Sequence, residues 1–130
     1  MPATLKKVER LCSLKEIQEL LKKGNTIYNY PFKVVFISYN ANPQKEDSYN
    51  SIVVSVPKRN FKRAVKRNLL KRRIRESYRL NKNILSGDKK INVMFVYISK
   101  EVLPYNIIEV KIKEILQKIT DIVNERKKEI

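Results

Sequence analysis

The sequence predicts a small α/β domain whose helices and strands follow the order α-β-β-α-β-α. The length of 130 residues matches about one domain. Hydrophobic residues make up 42% of the chain, which is enough to build a packed core. Amphipathic helical patterns alternate with runs of β-branched and aromatic residues. A strand, a helix and a strand in succession favour a crossover unit within a single sheet.

The first helix is predicted over residues 14–23. The segment Ser13-Leu14-Lys15-Glu16 fits a capping box, in which the Ser and Glu side chains satisfy backbone amides at the helix start. Gly24 is a typical C-terminal stop. The apolar residues at helical spacing are Leu14, Ile17, Leu20 and Leu21.

Three strands are predicted where β-branched and aromatic residues concentrate: residues 32–37, 51–56 and 91–98. The third is the most apolar, so we expect it to be central. The polar residues 40–50 read as a loop, Ser86-Gly87-Asp88 marks a turn, and residues 26–30 are a candidate for a further short strand.

The last helix begins at Pro104 and buries one side against the core. Its apolar residues recur every three or four positions, as Ile108, Ile112, Ile115, Ile119 and Ile122. Residues 125–130 form a basic tail at the end of this helix.

The net charge of +16 is concentrated in one segment. Residues 58–79, the basic segment below, carry eleven Lys or Arg residues and a single acid, Glu76. The segment is predicted to be a helix with one apolar stripe, formed by Ala64, Leu70, Ile74 and Tyr78.

The spacing of the charges favours an anionic partner over a plain solvated surface helix. Arg67, Lys71 and Arg75 are four residues apart, so they stack on one helix face and repel each other. An external anion relieves this repulsion. A membrane-surface helix needs a broad apolar face, and a helix-turn-helix needs a flanking helix, so RNA fits better than either a membrane or DNA. Asn68 can add a directed hydrogen bond to a base or a sugar hydroxyl.

Several other functions are disfavoured by composition. The chain has no His, which excludes a Ser-His-Asp triad and His-ligated metal, and its two Gly residues cannot build a Gly-rich phosphate loop. Cys12 cannot form an internal disulfide and reads as a small buried residue. Two acidic pairs, Glu16 with Glu19 and Glu46 with Asp47, could hold a metal ion. Helix capping by Glu16 and loop solvation by Glu46 and Asp47 explain them better. With no transmembrane or signal-peptide pattern, we expect a cytoplasmic protein.

The basic segment closely resembles the signature of the bacterial ribonuclease P protein component. That signature reads Arg-Asn-Arg, any residue, Lys-Arg, two variable residues, then Arg. Here Arg67-Asn68, Lys71-Arg72 and Arg75 match it, whereas Leu69 replaces the usual second Arg and Arg73 adds a base nearby. The resemblance covers residues 8–122, within one domain spanning residues 1–130.

The resemblance implies a left-handed β-α-β crossover and two RNA contacts. The basic helix and adjoining loop would bind the catalytic RNA of ribonuclease P, which would perform Mg²⁺-dependent hydrolysis with metal held mainly by the RNA and no small-molecule cofactor. The implied RNA-binding residues are Lys58, Arg59, Lys62, Arg63, Lys66, Arg67, Asn68, Lys71, Arg72, Arg73 and Arg75.

The second implied contact is a cleft between the first helix and the sheet, which would bind the 5′ leader of precursor tRNA. Family members often place aromatic residues there, but the corresponding positions here are the aliphatic Ile17, Leu21 and Val35. We expect these three to line the cleft or to be plain core residues. The aromatic side chains that are candidates to provide stacking faces instead are Phe32, Phe36 and Tyr39. We expect a cleft that binds the leader more by shape and charge than by stacking.

The sequence suggests three functions to compare. The first is the protein component of ribonuclease P, which removes the leader to give the mature tRNA 5′ end. The second is a structural RNA-binding protein such as a small ribosomal protein. The third, a protein-only nuclease, needs clustered acids, which the sequence does not offer.

Overall fold

The computed structural model describes residues 14–40, 50–85 and 89–128. The elements in these ranges are α1 (Leu14–Lys23), β1 (Asn25–Asn29), β2 (Phe32–Asn40), β3 (Ser51–Ser55), α2 (Ala64–Asn81), a short 3₁₀ turn (Lys82–Ile84), β4 (Lys89–Tyr97) and α3 (Tyr105–Lys128). The predicted class is confirmed, and the candidate strand near residues 26–30 is β1. None of the helices in the described ranges is long and apolar enough to cross a membrane.

The four strands form one mixed sheet in the order β1-β2-β4-β3. β2 pairs antiparallel with both β1 and β4, whereas β3 pairs parallel with β4. The third predicted strand is therefore central, as expected from its apolar composition. The parallel pair is joined through α2, which confirms the crossover unit. Its left-handed sense stays a prediction.

One face of the sheet is buried beneath α2 and α3. Successive residues of a strand point to opposite faces, so Phe32, Val34 and Phe36 of β2 lie on this side together with Phe95 and Tyr97 of β4. The Phe32 ring meets Phe95 and Tyr97 edge-on, with centroids 6.1 and 5.8 Å apart. The fully buried isoleucines of α3 are Ile108, Ile112, Ile115 and Ile119.

The opposite face is covered only in part, by α1. Leu20 and Val35 are buried in this second cluster, against the partly buried Ile37 and Met94. The chain approaches the sheet closely at Gly24, where a Cβ atom would lie 2.6 Å from Val35 Cγ1. The same Cβ atom would lie still closer to Leu20 O at the end of α1, so a side chain at this position would require the backbone to shift.

The largest difference between a predicted and an observed element boundary is at the start of α2. The helix begins at Ala64, so residues 58–63 form a loop instead of a helical turn. Ala64 is exposed, so its assignment to the apolar stripe is wrong, and Phe61 of the loop is buried in the core instead. The cause is local: Asn60 N donates to Pro57 O in a turn, and Arg63 is extended.

The other predicted elements keep their places with small shifts. β2 runs on to Asn40 because that residue still pairs with Lys89 of β4. The predictions for Cys12, the Ser13 cap, the Glu46-Asp47 pair and the turn at residues 86–88 fall outside the described residues.

The core packing predicts that substitutions at two nearby residues of α3 lower the free energy of unfolding by very different amounts. Ile112→Ala leaves a cavity at a fully buried position and should lower the free energy of unfolding by about 2–5 kcal/mol. Val110→Ala, at a position 52% exposed, should change it by less than about 0.5 kcal/mol. Urea unfolding of both variants measures the difference, and equal losses would contradict this packing.

Candidate nucleic-acid interface

The residues predicted to bind RNA lie along the outer side of α2 and on the loop before it. Burial of Leu70, Ile74 and Tyr78 fixes the rotation of α2 about its axis. The positions turned away from the sheet therefore carry the charge. The exposed polar residues of this surface are Lys58, Arg59, Lys62, Arg63, Lys66, Asn68, Arg72 and Arg75, whereas Arg67, Lys71 and Arg73 are half-buried.

The only acid in the basic segment is already paired. Arg79 Nε donates to Glu76 Oε2 at 3.0 Å, and this hydrogen bond lowers the pKa of Glu76 from its ordinary value. Glu76 therefore stays ionised and neutralises Arg79. No salt bridge within the described residues reaches Arg72 or Arg75. Their charge is available to a partner outside the chain.

Two arginines of α2 brace neighbouring loops by hydrogen bonds to backbone carbonyl oxygens: Arg67 braces the loop before α2, and Arg73 braces the loop before α3. Arg67 Nη1 donates to the carbonyl oxygens of Phe61 at 2.7 Å and Lys62 at 2.9 Å. Arg73 Nη1 donates to Leu103 O at 2.7 Å, in the loop before α3. A guanidinium has five N–H donors, so each retains donors for a second partner. Both were predicted only as RNA contacts, and their bracing role is a finding of the structure.

A groove of about 610 Å³ opens on the side of the sheet that α1 covers only in part. Lys33 shares this face with Val35, two residues further along β2. Val96 and Ile98 form an apolar floor, and Arg59 and Lys100 bring positive charge to the walls. This sheet groove is lined by Lys33, Pro57, Arg59, Asn60, Val96, Ile98 and Lys100.

A second depression joins the sheet groove to the basic segment. Asn60 and Lys100 line both depressions, and Lys62, Arg63 and Lys66 continue the second towards α2. Glu101 also lines the second depression, so the path from the start of α2 to the face of the sheet that α1 covers only in part is lined by six Lys or Arg side chains and one acid. Sequence reasoning missed Lys33 and Lys100, because isolated lysines in predicted strands and loops carry no signal of their own.

The predicted cleft residues divide between the two faces of the sheet. Ile17 of α1 and Val35 of β2 belong to the same small apolar cluster between α1 and the sheet, whereas Leu21 of α1 is 58% exposed. Phe32 and Phe36 lie on the opposite face and are 0% and 1% exposed. The prediction that they provide stacking faces is wrong, because strand alternation turns them into the core. The side chain of Tyr39 lies outside the described part of β2.

The described residues do not form a metal-binding donor set. Glu19 belongs to the described part of the chain, but no group of three or more His, Cys, Asp or Glu residues comes together there. The charge and shape of this surface instead suit a polyanion.

The family model described as Ribonuclease P matches residues 5–124 of the chain. The chain belongs to the ribonuclease P protein family. A ribonuclease P protein component from Porphyromonas gingivalis is 38% identical over 115 residues, which cover 83% of this chain and 82% of that protein. One from Petrotoga mobilis is 33% identical over 120 residues, which cover 92% of each. The resemblance drawn from the basic segment is thus confirmed, as is the function class: a protein component of ribonuclease P.

Solved structures of this ribonuclease P family share the fold. The RNase P protein from Thermotoga maritima superposes with a TM-score of 0.70 at 23% identity, covering 85% of this chain and 96% of that one. The RNase P protein from Staphylococcus aureus gives 0.62 at 27% identity, covering 90% and 92%. The mixed sheet with three helices is therefore the family's architecture.

The hydrogen bonds of Arg67 to the loop before α2 predict a loss of stability on substitution that the exposed Arg75 of the same helix does not share. Arg67→Ala removes two charge-assisted hydrogen bonds and should lower the free energy of unfolding by about 1–2 kcal/mol. Arg75→Ala, which removes an exposed side chain, should change it by less than about 0.5 kcal/mol.

Urea unfolding measures both variants. Arg67→Lys is the informative third variant: both bonds leave the single atom Nη1, and the lysine ammonium keeps the charge but lies one bond nearer the backbone, so a loss in this variant shows that the reach of the guanidinium is required. Equal stability of Arg67→Ala and Arg75→Ala would show that the contact does not hold the loop.

Proposed function

We propose that this ribonuclease P protein binds the catalytic RNA through the basic segment and the 5′ leader of precursor tRNA through the sheet groove. The complex then removes the leader by hydrolysis to give the mature tRNA 5′ end. The observation that carries the proposal is the path, lined mainly by Lys and Arg side chains, from α2 to the face of the sheet that α1 covers only in part.

The basic segment suits a folded RNA with closely spaced phosphates. Its exposed cations, including Arg72 and Arg75, face away from the core and have no acidic partner in the described ranges. Binding several phosphates releases counterions and relieves the repulsion between neighbouring side chains. Leu69 is half-buried where the family signature has Arg, so we assign that phosphate contact to the flanking cations.

The sheet groove suits single-stranded RNA. Its floor of Val96 and Ile98 is apolar enough to lie against bases, and Lys33, Arg59 and Lys100 can reach the backbone phosphates. Asn60 adds an amide that can donate to or accept from a base edge. This combination distinguishes leader binding from the alternative, a structural RNA-binding protein, for which the basic segment alone would be enough.

We assign the hydrolytic chemistry to the RNA subunit, with Mg²⁺ held mainly by that RNA. The chain has no His, and its described residues bring together no group of three or more potential metal ligands, which agrees with this assignment. The protein contributes positive charge, which lowers the repulsion between the two RNA molecules. It thereby lowers the Mg²⁺ concentration that assembly requires. A cytoplasmic location belongs to this proposal.

The basic segment is tested with a pair of double variants of equal charge. Arg72→Ala with Arg75→Ala should weaken binding of the cognate catalytic RNA about tenfold or more and reduce the salt slope by about 2. Lys113→Ala with Lys118→Ala removes two exposed charges from α3 and should change neither quantity. Filter binding over a range of salt concentrations measures the affinity and the salt slope. Equal losses of affinity in the two double variants would indicate that binding depends on net charge alone and not on the basic segment.

The sheet groove is tested with a substrate pair. In the reconstituted complex, Lys33→Ala with Lys100→Ala should weaken binding of precursor tRNA about fivefold or more, because two phosphate contacts are lost. Binding of mature tRNA, which has no leader, should stay within about twofold. A loss of the same size for both substrates would contradict leader binding in the groove.

A further inference from the structure

An exposed aromatic residue lies beside the sheet groove on the edge strand β1. Tyr28 of β1 pairs with Lys33 of β2, Lys33 with Val96 of β4, and Val96 with Ser55 of β3. Directly paired residues point to the same face, so these four side chains form one row across the whole sheet. At about 4.8 Å between strands, the row is about 14 Å wide.

This row lies on the face of the sheet that α1 covers only in part. Val35, two residues from Lys33 on β2, packs beneath α1 on the same face, and none of the four residues of the row belongs to the apolar cluster under α1. None of the four side chains is buried, and Tyr28 is 66% exposed. Two of the four, Lys33 and Val96, line the sheet groove, and Tyr28 is the next residue of the row beyond Lys33, on the β1 edge.

We propose that Tyr28 is a stacking platform that binds a base of single-stranded RNA leaving the sheet groove at the β1 edge. The inference rests on the proposed function, since it takes the leader as the occupant. A cation beside an exposed ring suits one nucleotide: Lys33 reaches the phosphate while the phenol ring lies against the base. This arrangement gives the chain an aromatic contact that the buried Phe32 and Phe36 cannot provide.

The proposal extends the path of the leader and sets a length requirement. A leader that ends inside the sheet groove cannot reach Tyr28. A longer leader runs along the row to the β1 edge, where one of its bases stacks on the ring. Stacking on a planar ring tolerates different bases, so Tyr28 should add affinity with little sequence preference.

The test measures binding of precursor tRNAs with leaders of increasing length to the protein assembled with its catalytic RNA. Tyr28→Leu keeps apolar area but removes the ring, and should weaken binding of long-leader substrates about fivefold or more. Tyr28→Phe keeps the ring and should stay within about twofold of the wild type. Substrates with very short leaders should bind equally well to all three proteins.

A matched control comes from the same hairpin. Tyr30 is 62% exposed, but it lies in the turn outside the row, and its hydroxyl donates to Ser99 Oγ at 3.0 Å. Tyr30→Leu should leave leader binding unchanged. Equal losses in Tyr28→Leu and Tyr30→Leu would overturn the proposal in favour of a general disturbance of the hairpin. Unchanged affinity for the catalytic RNA verifies that each variant is folded.

Abasic leader nucleotides locate the stacked base. One abasic position should reduce wild-type affinity as Tyr28→Leu does, with no further loss when both changes are combined. Long-leader binding within twofold of wild type for Tyr28→Leu would overturn the Tyr28 platform and leave leader binding in place. A wild-type protein whose affinity does not depend on leader length would overturn both.

Discussion

Burial of alternate side chains from β2 and β4 against α2 and α3 is the constraint on which the rest of the molecule depends. Phe32, Phe36 and Phe95 direct one face of the sheet inward, and Leu70 and Ile74 fix the rotation of α2 on that face. Once this side of α2 is buried, its cations must face outward. The same alternation leaves the other face to α1, which covers only part of it. The basic surface and the sheet groove therefore both follow from the packing of one core.

Two arginines link these two surfaces. Arg67 holds the loop that carries Arg59 and Asn60, and Arg73 holds the loop that carries Lys100. Both loops are walls of the sheet groove. An RNA bound along α2 would therefore contact the same helix that positions the groove walls. The high density of like charge is unfavourable in the free protein, and a polyanion bound along α2 relieves it.

The sequence was most informative where its pattern was unambiguous. The charge of the basic segment and the isoleucine spacing of α3 predicted the surface and the helix correctly. The run 32–37 is apolar almost throughout, so it contains no alternation to reveal which residues face the core, and Phe32 and Phe36 were assigned to the wrong face. β1 is short and polar, so the pairing of Tyr28 with Lys33 became visible only with the sheet register. The groove depends on such pairings and on loop positions, which local sequence does not encode.

The most direct test of the account is cleavage of precursor tRNA at low Mg²⁺ by the cognate ribonuclease P RNA, with and without this protein, alongside the protein alone. The account predicts strong stimulation of the RNA by the protein and no cleavage by the protein alone, because it assigns the hydrolytic chemistry to the RNA subunit and binding to the protein. Cleavage by purified protein without RNA would contradict it. So would tight, salt-dependent RNA binding with no stimulation, which would instead indicate a structural RNA-binding protein.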